Sequence, residues 1–334
     1  MSRVFVAPGP LRDIEHAFGP VLAKAGLTFE YPCRQGFGFG AVLTEEEVLA
    51  QVPGCVAVIA GGEPYSGPTL AKLAAAGLKV VARAGVGYDA VDVGAATENG
   101  IVVCYAPGTN QEAVAEHAFA LILALTRDVR RQDAEIRAGR WPRRAVAYAR
   151  GTTLGIVGLG RIGKAMATRA NAFGYRVVAA EIAPDHQFCR ANRVELLPFE
   201  ELLRQADVVT LHVPKTPQTQ YMIRRETLAL MKPNALLINT SRGGVVHEAD
   251  LYDALKAGRI AGAGLDVFER EPLTGSPLCE LDNVLLTAHT AGVDRRSRED
   301  MARVAAEAVV KVLAGEWPAD WVVNPEVKDR FLAR

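Results

Sequence analysis

Gly155-Ile156-Val157-Gly158-Leu159-Gly160-Arg161-Ile162-Gly163 is the stretch that decides how this chain is read. Gly158, Gly160 and Gly163 follow an apolar run that reads as a buried strand, and Lys164 to Phe173 beyond them has helical spacing and few breakers. A strand that turns sharply into a helix leaves unpaired N–H groups at the helix start, and these attract a phosphate. Gly158 permits the tight turn, Gly160 lets the backbone approach a pyrophosphate, and Gly163 lets helix and strand pack closely. Farther on, Val177-Val178-Ala179-Ala180 reads as a second strand with Glu181 at its end. A carboxylate there accepts hydrogen bonds from the two hydroxyls of an adenosine ribose and repels the extra phosphate of NADP, so NAD is the expected cofactor. A glycine-rich turn alone needs no ligand. Strand, glycines, helix, strand and acid in that order make the nucleotide reading specific.

The bulk properties suit a globular enzyme. At 334 residues with 49% hydrophobic content, the chain can form two domains with sizeable cores. Its 38 basic and 38 acidic residues cancel, so no overall field draws it to nucleic acid or to an anionic membrane. The five cysteines, Cys33, Cys55, Cys104, Cys189 and Cys279, are scattered and form neither a metal-spaced pair nor a disulfide frame. That usage suits a reducing cytosol, and no metal is expected. The run after Met-Ser-Arg is soon ended by Pro8, too short for a signal sequence. The longest apolar stretch, near Ala113 to Thr126, carries Glu116 and His117 and is too short to span a bilayer, so a cytoplasmic location is expected.

Strand-like and helix-like runs alternate almost throughout, which argues for parallel sheets with helices on both faces. Val4 to Ala7, Val56 to Ala60, Lys79 to Ala84 and Ile101 to Cys104 read as strands, with helices such as Thr69 to Ala76 and Val91 to Glu98 between them. The middle repeats the scheme with six strands: Leu154 to Val157, Arg176 to Ala180, Val208 to Val213, Ala235 to Asn239, Ala261 to Leu265 and Val284 to Thr287. Tyr105-Ala106-Pro107-Gly108 is a natural hinge, and a hinge between two domains implies closure over a bound substrate. The segment from Asp294 to Leu313 is helical, and its apolar face, Met301, Val304, Ala308 and Val312, needs a partner surface. Its return to the first domain would make that domain discontinuous. Arg127 to Arg150 holds eight arginines against three acids around Trp141-Pro142. Zero net charge and no interleaved aromatics favour a solvated arm that packs on a second subunit over a nucleic-acid patch.

Four polar residues fall at carboxyl ends of strands in the cofactor sheet. Arg242 follows Ile238-Asn239-Thr240-Ser241, Asp266 ends Gly264-Leu265-Asp266, Glu271 lies in Glu269-Arg270-Glu271-Pro272, and His289 follows Val284 to Thr287. In an open parallel sheet these ends converge on one crevice. Each residue alone is usually a solvated loop group; four beside a nucleotide site point to chemistry.

The chain resembles the D-isomer-specific 2-hydroxyacid dehydrogenases over nearly its whole length. The motifs that carry the resemblance are Arg83-Ala84-Gly85-Val86-Gly87-Tyr88-Asp89, Ala113-Val114-Ala115-Glu116-His117, Gly158-Leu159-Gly160-Arg161-Ile162-Gly163, Leu211-His212-Val213-Pro214, Asn239-Thr240-Ser241-Arg242-Gly243-Gly244, Gly264-Leu265-Asp266-Val267-Phe268-Glu269-Arg270-Glu271-Pro272 and Ala288-His289-Thr290-Ala291-Gly292. The family often has Pro where Ala288 stands and an aliphatic residue where Thr290 stands, both beside His289. The resemblance implies an α/β protein of two Rossmann-like doubly wound parallel-sheet domains. The N-terminal, flavodoxin-like, substrate-binding domain takes residues 1–106 plus 295–334 and is completed by the C-terminal helix. The NAD-binding domain takes 107–294, with a dimerisation arm near 127–150 of a homodimer.

The resemblance also implies roles. His289 would give a proton at oxygen during reduction and take it during oxidation, with Glu271 orienting the ring and favouring imidazolium. Arg242 would hold the substrate carboxylate and polarise the carbonyl. Arg83 and the backbone N–H groups of Val86 and Gly87 would bind the rest of the substrate. Arg161, Ile162, His212, Val213, Pro214, Thr240, Ser241 and Gly292 would line the cofactor, with Arg242 and His289 also beside it. Asp266 would support the cofactor and the charge balance of the site. His117, in an apolar helical run, reads as structural.

Two rival readings are weaker. Formate dehydrogenases resemble this family but carry an amide where Glu271 stands, and formate has no hydroxyl proton to remove. An NAD(H)-sensing, co-repressor-like binding protein has no need of all four polar residues. For substrate, the resemblance is to phosphoglycerate dehydrogenases and to hydroxypyruvate or glyoxylate reductases alike. Glu63, after Ala60-Gly61-Gly62, would disfavour a substrate phosphate if it points into the pocket; Arg83 and Lys215 would supply positive charge instead, though surface solvation is the plainer role for both. The chain stops soon after Asn324-Pro325, leaving no room for the regulatory domain that some phosphoglycerate enzymes append. Hydroxypyruvate or glyoxylate is therefore preferred over 3-phosphohydroxypyruvate.

Overall fold

Strands of four or five residues with no polar alternation require burial on both faces, and two parallel sheets provide it. The computed structural model describes residues 2–33 and 42–332. Contacts divide the chain into one unit of Met1–Asn110 with Val293–Arg334 and another of Gln111–Gly292.

In the first unit, β1 (Arg3–Val6), β2 (Thr28–Glu30), β3 (Ala57–Ala60), β4 (Val80–Arg83) and β5 (Val102–Cys104) form a parallel sheet in the order β2-β1-β3-β4-β5. This is the flavodoxin-like order, with a chain reversal between β1 and β3. β3 is wholly buried, and Val80, Val81 and Ala82 of β4 are too. The edge strand β2 is absent from the sequence reading because its three residues are only partly covered and carry no apolar run.

The helix Arg295–Leu313 lies on this sheet. Asp294 caps it by accepting from the Ser297 amide at 2.8 Å, which satisfies one of the orphan donors of the first turn. Met301, Val304, Ala308 and Val312 are all buried. Ala308 and Val312 share one core with Val4, Val6, Ile59, Val80 and Ala82. Burying each valine contributes roughly 1.5–2 kcal/mol, so the helix completes the sheet energetically as well as sterically. Beyond it, buried Asn324 ties the chain to β5: its Oδ1 accepts from Val103 N, and its Nδ2 donates to Ile101 O.

In the second unit, β6 (Thr153–Val157), β7 (Arg176–Ala180), β8 (Val194–Leu196), β9 (Val208–Leu211), β10 (Leu236–Asn239), β11 (Gly262–Leu265) and β12 (Val284–Leu286) are all parallel, in the order β12-β11-β10-β9-β6-β7-β8. The sheet has seven strands, not the six read from the sequence; β8 escapes because Glu195 breaks its apolar run and it sits at an edge. β9 stops at Leu211 rather than at Val213, since the chain is heading into Pro214, which has no N–H for a ladder. The sheet is doubly wound. One face packs against Leu202, Leu203, Leu251 and Leu255, the other against Ala118, Phe119, Ile122, Met166 and Ala170. The strand order reverses between β6 and β9, so their carboxyl ends open a crevice where ligands bind in such sheets. Among the described residues, no helix is long and apolar enough to cross a membrane.

Candidate functional site

The glycine turn lies at that reversal. Gly158 has φ +91°, and a Cβ on it would meet the His212 carbonyl oxygen at 2.7 Å. A Cβ on Gly163 would lie 2.1 Å from the Gly158 carbonyl oxygen, so no side chain can stand there without moving the helix off the strand. Gly160 differs, because nothing lies within 4 Å of the place its Cβ would take. It caps the helix Arg161–Ala172, which starts three residues before the sequence reading placed it. The first N–H groups of that helix have no intrahelical partner and carry the positive end of the dipole. Glu181 follows β7, and its carboxylate accepts from Leu159 N at 2.6 Å and from Ala183 N at 3.0 Å. The acid is thereby tied to the turn itself, with lone pairs remaining on both oxygens.

Across the reversal, burial holds the His212 imidazole neutral, with its pKa lowered to about 3. Its Nε2 pairs with Thr210 Oγ1 at 2.9 Å, whereas its Nδ1 and the buried Thr240 hydroxyl have no partner among the described residues. Open space at Gly160, a helix start facing it, a tethered acid and two orphaned polar atoms together fit a bound dinucleotide. Among the described residues, no group of three or more His, Cys, Asp or Glu is placed to hold a metal ion.

The loops after β10, β11 and β12 carry the other residues. Asn239 ends β10, and its side chain braces the next turn by accepting from Ser241 N and Oγ and donating to Arg242 O. Gly243 lets this turn abut the loop after β11, because a Cβ on it would lie 1.8 Å from the Phe268 carbonyl carbon. The Arg242 guanidinium donates to Ser241 O at 2.7 Å. Lys215, from the segment after β9, lies over Gly244. Val213 and Ile162 are half-buried and Pro214 and Arg161 exposed, while Ser241 is buried and Gly292 half-buried.

Glu271 and His289 meet. His289 Nδ1 lies 2.7 Å from Glu271 Oε2, and Glu271 Oε1 accepts from Phe268 N at 3.0 Å. Burial pushes the Glu271 carboxyl up, but the His289 and Phe268 hydrogen bonds and the charges of His289 and Arg242 outweigh it, leaving the pKa below the ordinary carboxylate value. The carboxylate is therefore ionised at neutral pH and can only accept, so Nδ1 carries the hydrogen and Nε2 is left as the nitrogen for a mobile proton. His289 has φ +52°, uncommon for a side chain of its size, so its loop must be held from outside.

Asp266 holds it. This carboxylate is 1% exposed and accepts from Thr287 Oγ1, Thr290 N and Ala291 N, while the Asp266 carbonyl accepts from His289 N. Sequence reading places Asp266 at the cofactor; among the described residues the donors to its carboxyl oxygens lie on the loop that carries His289, with His117 Nε2 3.6 Å from Oδ1. Thr287 was not singled out, and a Thr one residue past a strand carries no signal of its own. His117 reaches the same cluster, with Nε2 2.9 Å from Thr287 Oγ1.

In the first unit, Arg83 ends β4 and donates to Ala60 O, and the turn of Gly85, Val86 and Gly87 follows it. Glu63 points into its own loop, accepting from Gly61 N at 2.7 Å and from the Tyr65 hydroxyl at 3.1 Å. It is buried, which pushes its carboxyl pKa up despite those bonds and the charge of Arg83.

Comparison with known proteins identifies the lineage. The family model described as D-isomer specific 2-hydroxyacid dehydrogenase, NAD binding domain, matches residues 119–291. A D-3-phosphoglycerate dehydrogenase of Methanocaldococcus jannaschii is 40% identical over 296 residues, 87% of this chain and 56% of that protein. A glyoxylate reductase of Korarchaeum cryptofilum is 46% identical over 261 residues, 76% of this chain and 78% of that protein. The crystal structure of a D-lactate dehydrogenase from Aquifex aeolicus, complexed with NAD and lactic acid, aligns with a TM-score of 0.84 at 27% identity, over 96% of this chain and 99% of that one. The chain spans about half the length of the phosphoglycerate dehydrogenases it matches.

Proposed function

The chain belongs to the D-isomer-specific 2-hydroxyacid dehydrogenases, and from that premise we propose that it is an NAD-dependent oxidoreductase interconverting a small 2-keto acid and its D-2-hydroxy acid. The observation that carries the proposal is the 2.7 Å contact between His289 Nδ1 and an ionised Glu271. Reduction of a ketone needs a hydride at carbon and a proton at oxygen, and NADH supplies the hydride when bound. The turn Gly158 to Gly163, Glu181 and the Thr240 hydroxyl would hold that cofactor. His289 would deliver the proton from Nε2, and Glu271 would stabilise the imidazolium and fix its orientation. Arg242 would hold the substrate carboxylate with its planar fork and draw charge from the carbonyl. Arg83 and the amides of Val86 and Gly87 are assigned to the substrate as well.

Hydroxypyruvate or glyoxylate is the proposed substrate. Glu63, where a phosphate-binding cation would be wanted, is committed to its own loop and offers a phosphate no donor. The second reading, 3-phosphohydroxypyruvate, draws support from the phosphoglycerate dehydrogenase relatives and from Lys215 beside the Arg242 turn. Oxidation of NADH against a panel of 2-keto acids tests both. The proposal expects fastest turnover with glyoxylate or hydroxypyruvate and slower turnover with NADPH. Preference for the phosphorylated acid would replace the substrate. Binding of NADH with no turnover of any keto acid would leave a sensor in place of an enzyme.

A homodimer is proposed through the arm. The helix Val129–Arg137 buries none of its residues, and Ile136 on it and Trp141 and Tyr148 after it expose apolar surface. Three of the arginines there pair with the local acids, Arg137 with Asp133, Arg140 with Glu135 and Arg144 with Asp128, which leaves a weak patch for nucleic acid.

A further inference from the structure

We propose that His117 is a positioning residue for this reaction: through the Thr287 hydroxyl it fixes the Asp266 carboxylate, which holds the main chain of the loop carrying His289. The proposal rests on the oxidoreductase reading and extends it to a histidine on the helix Gln111–Thr126, far from His289 in sequence.

The hydrogen count gives the chain its direction. Asp266 accepts at Oδ1 from Thr287 Oγ1 at 2.6 Å and from Thr290 N at 2.9 Å, and at Oδ2 from Ala291 N at 2.9 Å. All three contacts run from a donor to a carboxyl oxygen, so Asp266 gives no hydrogen back along them. A hydroxyl has one hydrogen, and Thr287 spends it on Asp266. Toward His117 Nε2, 2.9 Å away, the Thr287 oxygen can therefore only accept. Nε2 must carry a hydrogen, so neutral His117 is the Nε2–H tautomer. The same nitrogen lies 3.6 Å from Asp266 Oδ1, so its N–H sits beside the buried carboxyl oxygen as well.

The helix can deliver this contact because it runs close over β11. A Cβ on Gly264 would stand 3.0 Å from Leu121 Cβ, so a side chain there would push the helix back by a few tenths of an ångström. Neighbouring Ala118, Phe119 and Ile122 are buried in the sheet's core, which leaves His117 little freedom to turn away. The far end of the chain of contacts is the positive-φ residue: His289 N donates to the Asp266 carbonyl at 2.8 Å, and the next two amides, Thr290 N and Ala291 N, are held by the Asp266 side chain. Without the donor from His117, the Thr287 hydroxyl is free to rotate, Asp266 loses a partner, and the loop loosens. The consequence falls on the rate of proton delivery and not on capture of the cofactor.

The test compares His117→Leu, His117→Gln, Thr287→Val, Thr287→Ser and the double variant H117L/T287V, using NADH and glyoxylate or hydroxypyruvate. We expect H117L to lower kcat about tenfold or more, with NADH Kd changed by less than about twofold. H117Q, whose amide N–H replaces the imidazole donor, should recover most of the loss, and T287S should outperform T287V. The double variant should be no slower than T287V alone, since both act on one chain. Parental kcat in H117L, no recovery in H117Q, or losses that multiply in the double variant would overturn the proposal. Should H117L fail to fold, the two Thr287 variants decide. Imidazole 15N spectra provide a reading without turnover. Neutral His117 must appear as the Nε2–H tautomer, and H117L or T287V must shift the ring nitrogens of His289. A Nδ1–H tautomer or unmoved His289 signals would overturn positioning, whereas absent turnover with the expected spectra would overturn the proposed reaction alone.

Discussion

Adding one methyl group at Gly160 and, separately, at Gly163 should separate binding from folding in the glycine turn. At Gly163 the new Cβ would sit 2.1 Å from the Gly158 carbonyl oxygen, roughly 1 Å inside the closest approach that real Cβ atoms show. Helix and strand must part, and overpacking of that kind costs about 1–3 kcal/mol. For a unit the size of Gln111–Gly292, that is a fall in Tm of roughly 2–12 °C, with NADH binding weakened as the helix start moves. At Gly160 nothing lies within 4 Å of the new atom, so Gly160→Ala should leave Tm almost unchanged. The methyl group would nevertheless fill the space into which the pyrophosphate must come. A displaced phosphate contact worth about 1.5–3 kcal/mol corresponds to a rise in NADH Kd of about tenfold to a hundredfold. Thermal melts with NADH fluorescence titration read both quantities. A G160A variant that binds NADH as tightly as the parent would refute the assignment of the turn, and so would a G163A variant with parental Tm.

Two further outcomes follow from the geometry. His212 is neutral when buried, with a pKa lowered to about 3, but takes a proton near 6.5 when unfolded. The unfolded chain thus binds more protons at mildly acidic pH, and this contribution to stability is present above pH 6.5 and lost as pH falls toward 3. Urea unfolding at pH 7.5 and 5 should show that loss, and it should be smaller in His212→Gln; equal losses would contradict it. On the arm, Trp141→Asp with Ile136→Asp should convert a dimer to a monomer by light scattering, because it places charge on exposed apolar surface. A parent that is already monomeric, or a variant that stays dimeric, would remove the arm as the interface.

Most of the sheet was legible because strands buried on both faces must be apolar throughout, as in Val80-Val81-Ala82 and Val208-Val209. The edge strands Thr28–Glu30 and Val194–Leu196 were not, since an edge needs neither length nor an unbroken apolar run. Helix ends shifted for a similar reason. Arg161 and Ile162 join the helix after Gly160 because backbone geometry admits them, whatever their side chains prefer. At the site, Glu271 and His289 were visible as polar residues at strand ends. Their 2.7 Å contact was not, because it depends on how the loop after β11 turns back. The Asp266 clamp was hidden further: its partners lie at positions 287 to 291, and His117 approaches from a helix that precedes the glycine turn. No periodicity records a contact across that separation. Glu63 shows the reverse limit, for its charge suggested a pocket role while its burial turns it inward.

The most direct measurement is single-turnover reduction of glyoxylate or hydroxypyruvate by enzyme-bound NADH in the parent, His289→Ala and Glu271→Gln. His289→Ala should slow hydride transfer about a hundredfold to ten-thousandfold, and Glu271→Gln by a smaller factor, while NADH Kd stays within about threefold of the parent in both. A His289→Ala enzyme that transfers hydride at nearly the parental rate, or that loses NADH binding and activity together, would contradict the assignment of that imidazole as the proton donor.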